Sequence, residues 1–598
     1  MADEQKKLIP INYTNREYET IRKDLMGIAQ RFYPDTFQDF SEGSFGSLML
    51  DAVSYVGDQL SFYLDYNVNE SFLDTAFQFD NIVRHGKVLG YNYTGQPSLY
   101  GEVSLFVLIP ASASGIGPDR NYAPVLKRGA TFSGQNGSSY ILLENIDFSN
   151  PQYDVVVARV NNATGAPTFY AIKATGKVVS GKYSTEIINI GPYERFKKVR
   201  LRNSNVSEIL SVVDSEGNEY FEVQNLSQDI IFEEIANSNH RQDNVPSILK
   251  PKIVSRKFVF ELTRTSAALQ FGSGESNISN EGSNVTSVAL NIFGKDYVVD
   301  SSFDPTKLSK NENFGIAPSN TKLSITYRAN NSSTGNISAG AINRVNSSTM
   351  NFKNEQRLSV SKVSNVKKSL EVFNEKPITG AITTPDSSEI KRRIFDNFAT
   401  QNRAVTQTDY EAFALRMPSK FGSIKRVSVQ KDPNSMKRNL NMYVLSESPN
   451  GKLIKTNSTI KNNLKTWLNQ YRMINDTIDI LDPYILNLGL EFTIRTTRNS
   501  DKFNVLALAT TKLRSKYFTP FYIGEPFIIS DVYQTLKEVD GVLDVINVRV
   551  TNRKGSNYSG NEIIIDDNLS PEGNQLVCPK NAVFEIKYPA VDIIGKVR

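Results

Sequence analysis

Tyr18-Glu-Thr-Ile21-Arg-Lys-Asp-Leu25-Met-Gly-Ile28-Ala-Gln-Arg-Phe32 sets its large apolar residues three, four, three and four positions apart. That period draws a narrow seam of the kind that packs against another helix in coiled-coil fashion. A core-facing helix normally shows a wider stripe, so the seam serves either a contact between chains or the core of one. Thr14-Asn-Arg-Glu17 before it has capping-box form, and Pro34 closes it. A second, longer helix follows, with Phe45, Leu48, Met49, Ala52, Val56, Leu60 and Tyr63 at helical spacing. A third carries Phe79, Ile82, Val83 and Leu89 and stops at Gly90. His85 within it is expected to be structural.

From about residue 100 the period changes. Val103-Ser-Leu-Phe-Val-Leu-Ile109, Tyr153-Asp-Val-Val-Val157, Phe258-Val-Phe260 and Leu323-Ser-Ile-Thr-Tyr327 are short apolar runs between Gly/Asn/Ser/Pro clusters, as in all-β regions. Ala329 to Asn336 is polar enough to be an exposed loop. After about 381 helices return. Asp386-Ser-Ser-Glu389 caps one ahead of Ile390, Ile394 and Phe398. Others carry Ile460, Leu464, Trp467, Leu468 and Tyr471, then Phe503, Leu506, Leu513 and Tyr517. Ser530 is placed to cap a last one, with Val532, Leu536 and Val539 inward. Strands at Val427–Val429, Leu486–Ile494 and Ile546–Val550 lie between them, the last with one buried and one wet face. The fold class expected is α+β multidomain: a helical region over 1–100, a β-rich middle over 101–380, and small α+β modules over 381–480 and 481–598.

Composition narrows the function. The chain has 598 residues, one cysteine (Cys578), two histidines (His85 and His240) and a formal charge of +5. One thiol supplies no internal disulfide and no thiolate zinc cluster. The positive charge forms no concentrated stripe, so nucleic acid is not an expected partner. The longest apolar run, Val103 to Ala111, falls far short of a membrane span, and Met1 to Lys7 is polar rather than signal-like. A soluble protein of the cytosol is expected, with neither cofactor nor metal. Gly272-Ser-Gly274 lacks the helix and Lys-Ser/Thr of a phosphate loop and reads as a turn. The adjacent pairs Glu233-Glu234 and Asp566-Asp567 point in different directions and make no acid/base pair. Asp214-Ser-Glu-Gly217-Asn218 is a β-turn, too short for a calcium loop. No catalytic constellation emerges, and an enzyme is not expected.

Several stretches are more specific. Glu42-Gly-Ser-Phe-Gly-Ser-Leu-Met-Leu-Asp-Ala52, Asp74-Thr-Ala76 and Leu89-Gly-Tyr91 come first. Pro124-Val-Leu-Lys-Arg-Gly129-Ala-Thr-Phe132, Asp214 to Tyr220 with Glu222-Val, and Phe271-Gly-Ser-Gly274 follow. Arg403-Ala-Val-Thr406-Gln-Thr-Asp409-Tyr410-Glu-Ala is the strongest, with Thr406 and Asp409 where a cap and a first-turn acid suit a helix. Ile424 to Val427, Asn441 to Val444 and Asp540-Gly541-Val542 complete the order. Together they resemble the baseplate J-like family of contractile phage tails, in its longer T-even-type wedge form. Ser273 departs from the family, which has an acid between the two glycines.

The resemblance implies structural work in the inner ring of a virion's tail baseplate, assembled in the cytoplasm of a host bacterium. Its implied partners are a second copy, first as a dimer and then in a ring, other baseplate wedge proteins, a sheath-initiating baseplate protein and the central hub. Rearrangement of the ring triggers sheath contraction. The residues that suit an inter-chain helical bundle are Tyr18, Ile21, Leu25, Ile28, Phe32, Phe45, Leu48, Ala52 and Val56. Trp467, Tyr471, Asp409 and Tyr410 are candidates for self-association at the C-terminal end, although a Trp467 at helical spacing is more often simply core. The rival is a β-rich receptor-binding or adhesin-type tail protein, which would not need amphipathic helices at both ends of the chain.

Overall fold

The computed structural model describes residues 17–33, 41, 43–112, 116–135, 137–237, 247–263, 265–274, 314–330, 336–378, 380, 385–433, 435, 439–448, 452–498, 500–518 and 521–598. Thr14, Pro34, Glu42 and His240 lie outside them. The architecture is helices first, a β-rich middle, and smaller α+β parts at the C-terminal end. The described chain divides into two compact units, Met1–Asn92 with Asp386–Ile394, and Tyr93–Pro385 with Phe395–Arg598.

The first unit holds α1 (Tyr18–Phe32), α2 (Phe45–Glu70) and α3 (Phe79–Val88). Glu17 is the N-cap of α1 and makes no side-chain cap bond, so the helix begins one turn later than a box starting at Thr14 requires. Ser44 caps α2 by accepting from the Ser47 N–H at 3.1 Å. Glu70, at the end of α2, turns back on the start of α3: its carboxylate accepts the Phe77 N–H at 2.7 Å, the Gln78 N–H at 3.1 Å and the Asn81 amide at 2.9 Å. Its backbone carbonyl meets His85 Nε2 at 2.9 Å, the structural histidine expected from sequence. Gly90 follows with φ +81°, in the left-handed region suited to a glycine stop. The remote segment 386–394 joins this unit by seating Ile394 on Gly86 and giving the Lys391 ammonium to the Asp74 carbonyl at 2.7 Å.

In the second unit, Tyr100–Pro110 pairs antiparallel with Pro167–Ser180 along its whole length, from Tyr100↔Val179 to Pro110↔Phe169. Val103, Leu105, Val107 and Ile109 alternate into a core shared with Phe132, Tyr140 and Ile172, and α4 (Val360–Lys368) covers it with Val363 and Val366. This sheet has seven strands, and Asp154–Val160 lies beside the first half of Pro167–Ser180. In a second seven-stranded sheet Lys322–Ala329 pairs antiparallel with Val206–Val213. The buried Arg328 joins it to the first, donating to the Ser98 hydroxyl at 2.9 Å and the Ser180 carbonyl at 2.8 Å, with Glu208 at 3.2 Å. Of the loop expected over Ala329 to Asn336, Ala329 and Asn330 are buried, Asn330 donating to the Pro97 carbonyl at 2.9 Å, and 331–335 lie outside the described residues. Gly272 lies so close to the Phe314 and Gly315 carbonyls that a Cβ would sit 2.1 Å from each. A backbone crossing, not a phosphate, explains the glycine.

The C-terminal parts follow α5 (Ser387–Thr400). In the first, α6 (Gln407–Leu415) and α7 (Ser458–Leu468) pack on a four-stranded sheet built around Asn439–Glu447. In the second, α8 (Lys502–Lys516) and α9 (Ile529–Lys537) cover a sheet centred on Tyr484–Thr496. Ser530 is inside α9 and does not cap it; Ile528 holds the N-cap position. The strand Val542–Asn552 buries Val548 and Val550 as expected, but Ile546 is exposed. A register irregularity opposite Thr493 and Ile494 skips Ile546 and turns Val545 inward instead.

Candidate functional site: an apolar helical face

Proteins normally bury the apolar stripe of a helix and wet the polar one. In α2 the order is reversed. Ser47, Asp51, Ser54, Asp58, Ser61 and Asp65 step by four, three, four, three and four, and all are buried or half-buried. On the other side Phe45, Leu48, Met49, Val53, Val56, Leu60, Tyr63 and Leu64 are exposed, Phe45 at 74% and Leu48 at 62%. Ala52 shares that exposed face. No charged side chain falls within the stripe from Phe45 to Tyr63. The helix has 26 residues, a rod about 39 Å long at 1.5 Å per residue. No helix among the described residues is long and apolar enough to cross a membrane.

Small polar residues turn inward because α1 meets α2 through hydrogen bonds. Tyr18 donates its hydroxyl to Asp51 at 3.0 Å, Arg22 pairs with the same carboxylate, and a second Arg22 nitrogen donates to the Ser47 hydroxyl at 3.0 Å. The hydrogen bonds from Arg22 and Tyr18 hold the Asp51 carboxyl below its ordinary pKa, while the bond to Asp51 holds the Tyr18 phenol above its own. Ser54 satisfies its buried hydroxyl on the Leu50 carbonyl at 2.6 Å. Gly57 faces the Ile21 side chain.

The nine residues assigned to a helical bundle therefore divide. Tyr18, Ile21 and Leu25 are half-buried, the first two engaged with α2, and no residue of α1 is fully buried. Ile28 and Phe32 continue the seam into solvent, and Phe45, Leu48, Ala52 and Val56 face outward. The nine bundle residues leave out Met49, Val53, Leu60, Tyr63 and Leu64 of the exposed stripe, and the helical spacing read from sequence left out Val53 and Leu64. The repeat of Ser and Asp on the opposite side is the signal that could have found them.

The C-terminal candidates are occupied within one chain. Trp467 is 9% exposed and donates its indole N–H to the Phe413 carbonyl at 2.9 Å. Tyr471 stacks on Phe413, ring centroids 4.3 Å apart. Tyr410 is buried and donates to Asp476 at 2.8 Å; burial first, then that bond, pushes its phenol up to about 12. Asp409 is half-buried and serves the helix start, accepting the Thr406 N–H at 2.9 Å while the Asp409 N–H donates to the Thr406 hydroxyl at 3.2 Å. Cys578 is buried and its thiol donates to the Ala582 carbonyl at 3.4 Å. Among the described residues no group of His, Cys, Asp and Glu could hold a metal.

Residues 17–88, the span of α1 to α3, match the family described as "Bacteriophage baseplate protein, N-terminal domain". No curated protein matches the chain. Among solved structures, a chain of the anti-feeding prophage baseplate (cryo-EM, 6-fold symmetrised) is similar at 11% identity and a TM-score of 0.26, over 94% of this chain and 90% of that one. A chain of the type VI secretion system TssK-TssF-TssG baseplate subcomplex is similar at 8% identity and a TM-score of 0.25, over 73% of this chain and 96% of that one. Likenesses at these TM-scores add nothing to the fold described above. The N-terminal match, coextensive with the helices that carry the apolar face, supports a baseplate protein with a structural role.

Proposed function

We propose that the chain is a structural component of a contractile phage tail baseplate wedge. It self-associates and binds other wedge proteins, and belongs to the ring around the hub whose rearrangement triggers sheath contraction. It acts by contact and not by catalysis. The observation that carries this is the outward apolar stripe of α2, inside the segment that matches a baseplate domain. The first occupant of the stripe is the same helix of a second copy. Two uncharged stripes meet without like-charge repulsion, and the acids Asp51, Asp58 and Asp65 stay on the side away from the contact.

The test is co-expression of the full chain with the other proteins of its baseplate, comparing wild type with Leu48→Asp/Val56→Asp. Both positions are exposed, so the variant is expected to fold with an unchanged Tm and to lose co-purification of the wedge. Wild-type recovery of the wedge by the variant would sink the proposal.

A further inference from the structure

Sheet edges expose unpaired N–H and C=O groups, and proteins blunt them with short strands, charges or proline. Two edges of the first seven-stranded sheet follow that rule. Glu371–Phe373 has three residues, and Ile342–Ser347 carries Asn343, Arg344 and Asn346. Asp154-Val-Val-Val-Ala-Arg-Val160 follows it only at its ends, with Asp154, Arg159 and a register irregularity on either side of Arg159, and leaves Val155, Val156 and Val157 unprotected. All seven of its residues are exposed, Val156 at 62% and Val157 at 50%, and one side pairs with Pro167–Ser180. Among the described residues no strand covers its other side. The strand is apolar in the middle, acidic at its start and basic near its end.

We propose that Asp154–Val160 is a self-association edge, pairing antiparallel with the same strand of a second copy and running the sheet continuously through both chains. Antiparallel pairing brings Asp154 of each copy to the Arg159 end of the other, so the charges complement twice in one contact. The valines lose their exposure, and the free backbone groups of each edge find partners in the other. This contact is independent of the α2 face.

Cross-linking in the full chain tests it. Val157→Cys puts an exposed thiol at the middle of the strand. The native Cys578 adds little background, because it is buried and burial pushes its thiol up to about 12. A short bis-maleimide is expected to convert Val157→Cys into a covalent dimer, also when Leu48→Asp/Val56→Asp is present. Adding Val155→Lys and Val156→Lys should cut the dimer yield at least tenfold, with the far-ultraviolet circular dichroism unchanged. Asp154→Arg alone and Arg159→Asp alone should each lower the yield several-fold, and the two together should restore it. Absence of a dimer from Val157→Cys, loss of it in the α2 variant, or failure of the double charge swap to restore it would overturn the pairing with a second copy. A strand that instead receives an edge of a different protein would give the first of these results.

Discussion

Glu70 ties two helices together with one carboxylate. The Asn81 amide and the Phe77 and Gln78 N–H groups favour its charged form over the opposing effect of burial, and hold its pKa below the ordinary 4.5. The unfolded chain therefore takes up the proton first as pH falls. The contribution of Glu70 is complete above the ordinary carboxylate range and is lost as pH falls through the depressed folded value. Protection of the Phe77 and Gln78 amides, corrected for intrinsic exchange, is expected to drop over that acid window and to lose the step in Glu70→Gln. An unchanged step in Glu70→Gln would assign the tie elsewhere. Trp467 makes the opposite point about residues that look functional. Its indole is buried against Phe413 and Tyr471, so Trp467→Ala is expected to cost about 3–5 kcal/mol of folding stability. Calorimetry of the isolated full chain should register that loss before any assembly is attempted.

At the scale of elements, much was legible and the failures have physical causes. Helix positions, the Thr406–Asp409 box and the strand at Val103 follow from local period and capping chemistry, which act within a few residues. Ile546 does not. Strict alternation buries it with Val548, but the bulge is set by the partner strand at Thr493 and Ile494, which no local window contains. Val545→Ala is expected to destabilise by about 2 kcal/mol, and Ile546→Ala by no more than about 0.5 kcal/mol, read from urea unfolding at 25 °C. Equal losses would contradict the bulge. In α2 the apolar positions were visible, but their direction was not. Period alone locates a stripe; only the companion Ser/Asp repeat, engaged by Tyr18 and Arg22, shows which side is covered by the chain itself.

At the scale of the whole molecule, contacts distant in sequence were beyond reach. Residues 386–394 join the N-terminal unit through Ile394 and Lys391, although the intervening chain belongs to the other unit. The exposed face of α2 can be weighed by magnitude. Completing the burial of its eight large apolar side chains yields about 1 kcal/mol each, or about 16 kcal/mol for the two stripes of a pair. Association costs an estimated 4–15 kcal/mol, so two α2 stripes pair with a surplus that ranges from slight to substantial. The Asp154–Val160 edge is a second, independent contact, so a chain that uses both extends the ladder beyond the dimer.

The most direct test of the α2 face is the mass of the purified full chain across a concentration series, wild type beside Leu48→Asp/Val56→Asp, by native mass spectrometry. The expected result is a wild-type ladder that begins at the dimer and a shift of its midpoint by at least tenfold in the variant, at unchanged Tm. Superimposable ladders, or a wild-type trimer indifferent to both substitutions, would contradict the assignment of α2 as the surface on which copies meet.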